Sequence, residues 1–279
     1  MKLLGNVNNI EMLIKVIQCF EKMNKMMIIL INPEKVQFVV PQEYAAKESL
    51  LIWSAFEIKE LFSSLIVESL SNNEIGFEVA ASSLLQAMRS GAGAGRMIWK
   101  LLKKNTEAML GIWLDAEGLR VQHDITIQLL TPARIAGLAE PSVPDPLVYV
   151  SLPPQRALKA AVDRIKAYSE RLLLTATMGG EISLKSVSDM VSIASYFSDL
   201  ELPLMNDQSQ PLRNPAIQAS ATIDVRLLTK VLAAYQMLGS KVVLCMVPAS
   251  VLIFHILLGE KSQHSSFLSF YIPIFTDVI

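Results

Sequence analysis

Cysteine and histidine are scarce in this chain, which has two cysteines and three histidines among 279 residues. Cys19 and Cys245 are too few for a disulfide framework or a metal site. Cys19 falls in a helix pattern and Cys245 in an apolar strand, so we expect buried structural thiols. The histidines lack metal-ligand spacing. His123 precedes Asp124, but neighbouring strand residues point to opposite faces and cannot form a dyad. The sequence therefore predicts no metal and no cofactor.

Motifs typical of phosphate-binding and catalytic sites are also missing. Gly91–Gly95 resembles a phosphate-binding loop only in composition, because no Lys-Ser/Thr follows it and it leads into a strand pattern rather than a helix. No strand-to-helix turn carries a serine nucleophile. These absences favour a protein without chemistry of its own, and we predict that it is not an enzyme.

Charge is sparse too: charged residues make up 18% of the chain and hydrophobic residues 52%. The longest uncharged stretch, Val242–Gly259, is nominally long enough to span a membrane, but Pro248-Ala-Ser250 divides it into two short apolar runs. We expect two buried strands, Val242–Val247 and Val251–Leu258, joined by a tight turn. With no signal-peptide pattern near Met1, we expect a soluble intracellular protein without a membrane partner.

What the chain does contain is a domain-sized repeat. Amphipathic helix patterns begin near Ile10 and at Ala81, and again near Pro154 and at Asp224, and each is followed by short apolar runs. This order predicts an α+β fold of two similar domains, each with two helices packed on antiparallel sheets. Between the halves, residues 131–146 hold four prolines and predict an extended connecting loop. The predicted domains are residues 1–130 and 147–279.

The predicted helices concentrate positive charge on their polar faces. They carry nine basic and four acidic residues, a balance of +5, whereas the whole chain carries −1, so the remainder sums to −6. Such faces are commonly just solvated, but four of them on one side of a sheet would attract phosphates without reading sequence. The basic residues are Lys15, Lys22, Arg89, Arg156, Lys159, Arg164, Lys166, Arg226 and Lys230.

An ordered set of short motifs resembles the Hus-one family, a subunit of the heterotrimeric nine-one-one checkpoint clamp related to PCNA. The motifs run nearly end to end, and the proline-rich one is the most specific. They are Asn72-Asn-Glu-Ile75, His123-Asp-Ile-Thr-Ile127, Glu140-Pro-Ser-Val-Pro-Asp-Pro146, Val148-Tyr-Val-Ser-Leu-Pro153, Gly180-Glu-Ile-Ser-Leu-Lys185, Ile223-Asp-Val-Arg-Leu-Leu228 and Phe270-Tyr-Ile-Pro273.

The resemblance implies a PCNA-like DNA clamp fold and a six-domain ring, closed with Rad-nine-type and Rad-one-type subunits around double-stranded DNA in the nucleus. It further implies a clamp loader and checkpoint and repair proteins as partners. The nine basic residues become candidates for the DNA channel. Strands near Met109–Leu114 and Glu181–Val187 become candidates for the edges that close the ring. The connecting loop becomes a candidate partner site, through Pro141, Val143, Pro144, Asp145 and Pro146.

Two other functions remain open on the sequence. A homotrimeric PCNA-type processivity clamp would share the fold and the channel, and differs only in whether the chain assembles with itself. A small-molecule-binding or hydrolytic α+β enzyme would need a convergent polar pocket, which the sequence does not supply. Near Met1–Val7 the chain is less basic than the family pattern, which weakens any DNA-contact role there.

Overall fold

The computed structural model divides into two compact units, one built mainly from residues 1–140 and the other mainly from residues 141–279. The division falls inside the predicted connecting loop, and the predicted domain limits themselves stay a prediction. No described helix is long and apolar enough to cross a membrane. The residues that the structure describes are 1–41, 50–91, 93, 95–116, 118–186, 188, 191–203, 214–239, 241–258 and 266–275.

The first unit alternates helices with antiparallel strands. One of its sheets has the strand order β5-β1-β7-β8-β9, and a second group of strands has the order β10-β6-β2-β3-β4. The elements are β1 Lys2–Val7, α1 Ile10–Met23, β2 Met26–Ile31, β3 Lys35–Val40, β4 Leu51–Glu57, α2 Ile58–Leu61, β5 Phe62–Glu68, β6 Ile75–Ala80, α3 Ala81–Arg89, β7 Arg96–Lys104, β8 Glu107–Ala116, β9 Leu119–Thr126, β10 Gln128–Leu129 and α4 Pro132–Ala136.

The second unit repeats this plan. Its strands form the antiparallel orders β14-β13-β12-β15 and β18-β17-β16-β11. The elements are β11 Val148–Ser151, α5 Gln155–Lys166, β12 Arg171–Thr177, β13 Glu181–Ser186, β14 Ala194–Phe197, β15 Gln218–Asp224, α6 Val225–Leu238, β16 Val242–Val247, β17 Val251–Leu257 and β18 Phe267–Pro273.

The four predicted helices begin where their amphipathic patterns begin, which confirms the α+β prediction. Each helix buries one apolar stripe; in α1 Leu13, Ile17 and Phe20 are fully buried. Within each unit the two long helices pack together, α1 against α3 and α5 against α6. Consequently each helix presents its polar side away from the core.

The ends of these helices follow local capping chemistry. The side chain of Asn9 accepts a hydrogen bond from the Met12 amide at 3.1 Å and caps α1. Asp224 caps α6 by accepting from the Arg226 amide at 2.7 Å. Gly239 ends α6 in the left-handed conformation, with φ of 62°, which glycine adopts without steric cost.

The apolar stretch near the C-terminus forms strands, as predicted. Strands β16 and β17 pair in antiparallel register around a turn at Pro248–Ser250, and all six residues of β16 are buried. The uncharged run therefore belongs to a sheet whose strands are enclosed on both faces, which is why it lacks the alternation of a half-exposed strand.

The connecting segment differs from the prediction over one turn. Residues Pro132–Ala136 fold as α4 rather than extending, because Thr131 caps the helix and proline fits its first position. Ile135 is buried against Gly76, where a Cβ would lie 2.9 Å from the Ile135 Cγ1. Beyond this helix, residues 138–147 form neither helix nor strand.

The predicted ring-closing edges are wrong. Met109–Leu114 lies in β8, which pairs on both sides with β7 and β9. The described part of Glu181–Val187 is β13, which pairs on both sides with β12 and β14. Among the described strands, the free edges next to them are β9 and β14. A strand's hydrophobic pattern does not reveal its place in the sheet, which is decided by pairing between distant segments.

Candidate nucleic-acid interface

The solvent face of α1 carries two of the predicted cations. Lys15 and Lys22 are exposed on the side opposite the buried stripe, together with Glu11. Lys22 lies 3.6 Å from Glu21, an exposed pair that offsets little of its charge. Lys15 has no ion pair with any residue that the structure describes.

Helix α3 contributes one cation in its last turn. Arg89 is exposed, and its position at the helix C-terminus is favourable for a positive charge because of the helix dipole. Ser82, Ser83 and Gln86 form the rest of its exposed side. The two long helices of the first unit, α1 and α3, therefore present three bases and two acids, a balance of +1.

Helix α5 is the most basic of the helices. Arg156, Arg164 and Lys166 are exposed and form no ion pair with other described residues. Lys159 is exposed as well, but its Nζ lies 2.8 Å from the Asp163 carboxylate, one turn further along the helix. Three free cations on twelve residues make this face the strongest candidate for a phosphate backbone.

Helix α6 carries two cations in unlike surroundings. The guanidinium of Arg226 donates to both carboxylate oxygens of Asp224 at 2.9–3.1 Å, and also lies 3.5 Å from Glu170. Its positive charge is therefore offset by two acids. Lys230, one turn further on, is exposed without an ion pair in the described part of the chain.

The positive charge of the long helices is thus unevenly distributed between the units. Helices α5 and α6 with the Asp224 cap carry six bases and two acids, a balance of +4, against +1 for α1 and α3. Cations fixed on rigid helices, without their own carboxylate partners, attract a polyanion through its charge alone. The structure places all nine predicted residues on exposed helix faces, while their binding to DNA stays a prediction.

The cysteines are not candidate nucleophiles. Both are buried, and burial raises the pKa of Cys19 and of Cys245 to about 12. A thiol with this pKa is protonated near pH 7, so neither side chain supplies a reactive thiolate.

The structure brings His123 next to Ser90, a contact that the sequence does not predict. The His123 Nε2 lies 2.6 Å from the Ser90 Oγ, while that hydroxyl donates to the Ala87 carbonyl at 2.7 Å. With the hydroxyl donating to the carbonyl, the tautomer of His123 that carries its proton on Nε2 completes this hydrogen-bond chain at the end of α3. Asp124 points away, as predicted, and accepts from Gln122 at 2.8 Å.

The predicted partner residues of the connecting loop lie in its irregular part. Pro144 and Asp145 are exposed, whereas Pro141, Val143 and Pro146 are half-buried. This mixture holds the segment to the protein surface while leaving part of it accessible. Their role in binding partners stays a prediction.

The overall fold defines a class of protein. The structure is similar to that of PCNA from Thermococcus kodakaraensis, with a TM-score of 0.70 at 17% identity, covering 98% of this chain and 100% of that one. The chain thus has the α+β fold of sliding clamps, as the sequence predicts.

Sequence comparison then identifies the family. The model of the Hus1-like protein family matches residues 1–276, and the chain belongs to this family. It is 27% identical to the checkpoint protein hus1 homolog of Dictyostelium discoideum, over 98% of both chains. It is 29% identical to the human checkpoint protein HUS1, over 90% of both, and 24% identical to the checkpoint protein hus1 of Schizosaccharomyces pombe, over 99% and 100%.

Proposed function

We propose that this chain is a non-enzymatic subunit of a heterotrimeric clamp that encircles double-stranded DNA at damage sites in the nucleus and scaffolds checkpoint signalling and repair. Its partners in the ring are a Rad-nine-type and a Rad-one-type subunit, and a clamp loader opens the ring. Membership of the Hus1-like family and the sliding-clamp fold support the assignment. The observation that carries the DNA-binding role is the set of exposed cations on α5 and α6 that form no ion pair with any other described residue.

These exposed cations of α5 and α6 are suited to binding DNA without recognising its sequence. Arg156, Arg164, Lys166 and Lys230 offer charge to phosphates but lie on helices without an aromatic or amide cluster that would read bases. A sliding protein needs contacts of this kind, because each phosphate can replace the next one along the backbone.

The ring would close through strands β9 and β14. Each is a free edge among the described strands, and each carries an exposed apolar side chain: Leu119 is 64% exposed and Tyr196 is 71% exposed. In the sheet β14-β13-β12-β15 the opposite edge is β15, which is less available for pairing with another subunit. There the Phe275 amide already donates to the Thr222 carbonyl at 2.8 Å. Unpaired backbone groups at β9 and β14 would pair with strands of neighbouring subunits.

Neutralising the free cations of α5 tests the DNA-binding role. In the assembled complex, Arg156→Gln, Arg164→Gln and Lys166→Gln together should weaken binding to a DNA duplex. The slope of log affinity against log salt concentration should fall by about 2–3, because roughly one counterion is released for each phosphate contact. Fluorescence anisotropy with a labelled duplex at several salt concentrations measures both quantities.

A matched triple variant controls for net charge. Lys2→Gln, Lys59→Gln and Lys241→Gln remove the same charge from exposed lysines that are paired with glutamates at 2.6–3.0 Å. This variant should bind the duplex nearly as tightly as the wild type. Equal losses in the two triple variants would show that overall charge, and not the α5 face, sets the affinity.

A further inference from the structure

The outer face of the five-stranded sheet in the first unit carries an apolar patch. A face turned to solvent normally alternates with polar side chains, so large apolar groups there are informative. Ile66 is 43% exposed and Trp113 is 37% exposed, while Leu4 and Ile98 are half-buried beside them. The patch crosses strands β5, β1, β7 and β8 of the sheet.

A groove of about 360 Å³ lies at one end of this patch, where Ile98 and Trp113 line it together with residues of β9. Lys100 lies next to the groove, two residues beyond Ile98 on β7. The strand register places Ile98 opposite Trp113, and Trp113 opposite Gln122. Arg96 and Arg120 lie at the same end of the groove, on either side of Asp115. An apolar floor with cations at its margin is thereby built by side chains from three adjacent strands.

Two cations on β7 lack acidic partners. The Arg96 guanidinium donates to the amide oxygen of Asn6 at 3.1 and 3.3 Å, and the Lys100 ammonium lies 4.9 Å from the Trp113 ring centroid. Neither contacts a carboxylate of any described residue. In contrast, Arg120 lies 3.1 Å from Asp115 and Lys104 pairs with Asp124 on the same face. The charge of Arg96 and Lys100 is therefore available to a ligand.

We propose that this groove binds an extended acidic segment of a partner protein, with an apolar side chain between two carboxylates. Arg96, Ile98 and Lys100 recur at every second residue of β7, a repeat of roughly 6.6 Å along the strand. An extended peptide has the same repeat, so a Glu-x-Phe-x-Glu segment places each carboxylate beside a cation. Its phenyl ring then packs on Ile98 and the edge of Trp113.

A peptide fits this groove better than single-stranded nucleic acid does. A base would need an open aromatic face for stacking. The ammonium of Lys100 already lies over the Trp113 ring. A stacking base would have to displace this ammonium, whereas a carboxylate can pair with it directly.

Fluorescence anisotropy with a labelled peptide, Gly-Ser-Glu-Ser-Phe-Ser-Glu-Ser-Gly, tests the proposal on the whole chain, purified with the clamp subunits with which it assembles. We expect saturable binding that weakens about tenfold or more in the double variant Arg96→Gln and Lys100→Gln. Replacing both glutamates of the peptide by glutamine, or its phenylalanine by alanine, should weaken binding similarly.

The double variant Lys2→Gln and Lys104→Gln is the matched control, because it removes equal charge from the same sheet at residues that already have acidic partners. It should bind the peptide as the wild type does, and circular dichroism should show that both double variants are folded. No binding by the wild type, or equal binding by all variants, would overturn the proposal. Preferential binding of labelled (dT)12 that is lost in Trp113→Ala would overturn it in favour of nucleic acid.

Discussion

At the scale of single residues, Arg226 and Lys230 share a helix face but have different roles. Arg226 satisfies the carboxylate of Asp224, whose side chain is only 10% exposed, whereas Lys230 has no acidic partner among the described residues. The type and spacing of these two residues are alike in the sequence, and only the structure separates a stabilising arginine from a cation available to DNA.

Substitution of Arg226 should therefore affect stability more than DNA binding. Arg226→Gln leaves a largely buried carboxylate with fewer partners and should lower the free energy of unfolding by about 1–2 kcal/mol, measured by urea denaturation. Lys230→Gln should leave the free energy of unfolding almost unchanged and weaken duplex binding. The opposite pattern would mean that Arg226, and not Lys230, faces the DNA.

His255 should make stability depend on pH. Burial lowers the pKa of His255 below its ordinary value of about 6.5, and its Nδ1 lies 2.8 Å from the Ser269 Oγ. Because the unfolded chain binds this proton more readily, stability is fully present above pH 6.5 and falls as the pH drops towards the lower folded-state pKa. Urea denaturation between pH 7.5 and 5.5 should show this fall in the wild type, and a flatter profile in His255→Gln. Equal slopes in both proteins would refute the assignment.

At the scale of elements, the proposed ring closure depends on the free sheet edges β9 and β14. Hydrogen–deuterium exchange should show that amides of β9 and β14 gain protection when the chain assembles with its partners, because new strand pairing protects them. Strands β8 and β13 should change little, since both are paired on each side already. Protection gained instead at the opposite edges, β5 and β15, would contradict the proposed ring closure.

The sequence predicts local elements better than their arrangement. The starts of α1, α3, α5 and α6 follow from the 3.6-residue apolar period, which is set within each helix. Helix α4 was missed because prolines suggested an extended chain, although proline is favoured in the first turn of a helix.

Contacts between distant segments could not be predicted. The contact between Ser90 and His123 joins residues 33 positions apart, and the edge positions of β9 and β14 depend on strand order. Neither leaves a periodic signal in the sequence.

The same distinction holds for the candidate site. The nine cations could be assigned to exposed helix faces from their spacing alone. Their carboxylate partners could not be assigned in full, because Arg226 meets Glu170 through the pairing of strands β12 and β15, which the pattern does not specify. The structure therefore concentrates the proposed DNA contacts on Lys15, Arg89, Arg156, Arg164, Lys166 and Lys230.

At the scale of the whole molecule, the chain consists of two similar units with free sheet edges and basic helices. Two such units are one third of a six-domain ring, so the proposed function requires other chains to supply the remaining four domains. Its hydrophobic content of 52% is consistent with surfaces that are covered on assembly. The proposed function therefore depends most on the subunit composition of the ring, that is, on which chains form it and how many copies of each it contains.

Native mass spectrometry tests this claim most directly. The chain has a mass of 30.8 kDa, so a homotrimer would have three times this value, about 92 kDa. We predict that the chain alone gives no stable species at that mass, and that co-expression with Rad-nine-type and Rad-one-type subunits gives a complex containing one copy of each chain. A stable homotrimer that excludes the other two subunits would contradict the account and indicate a PCNA-type clamp.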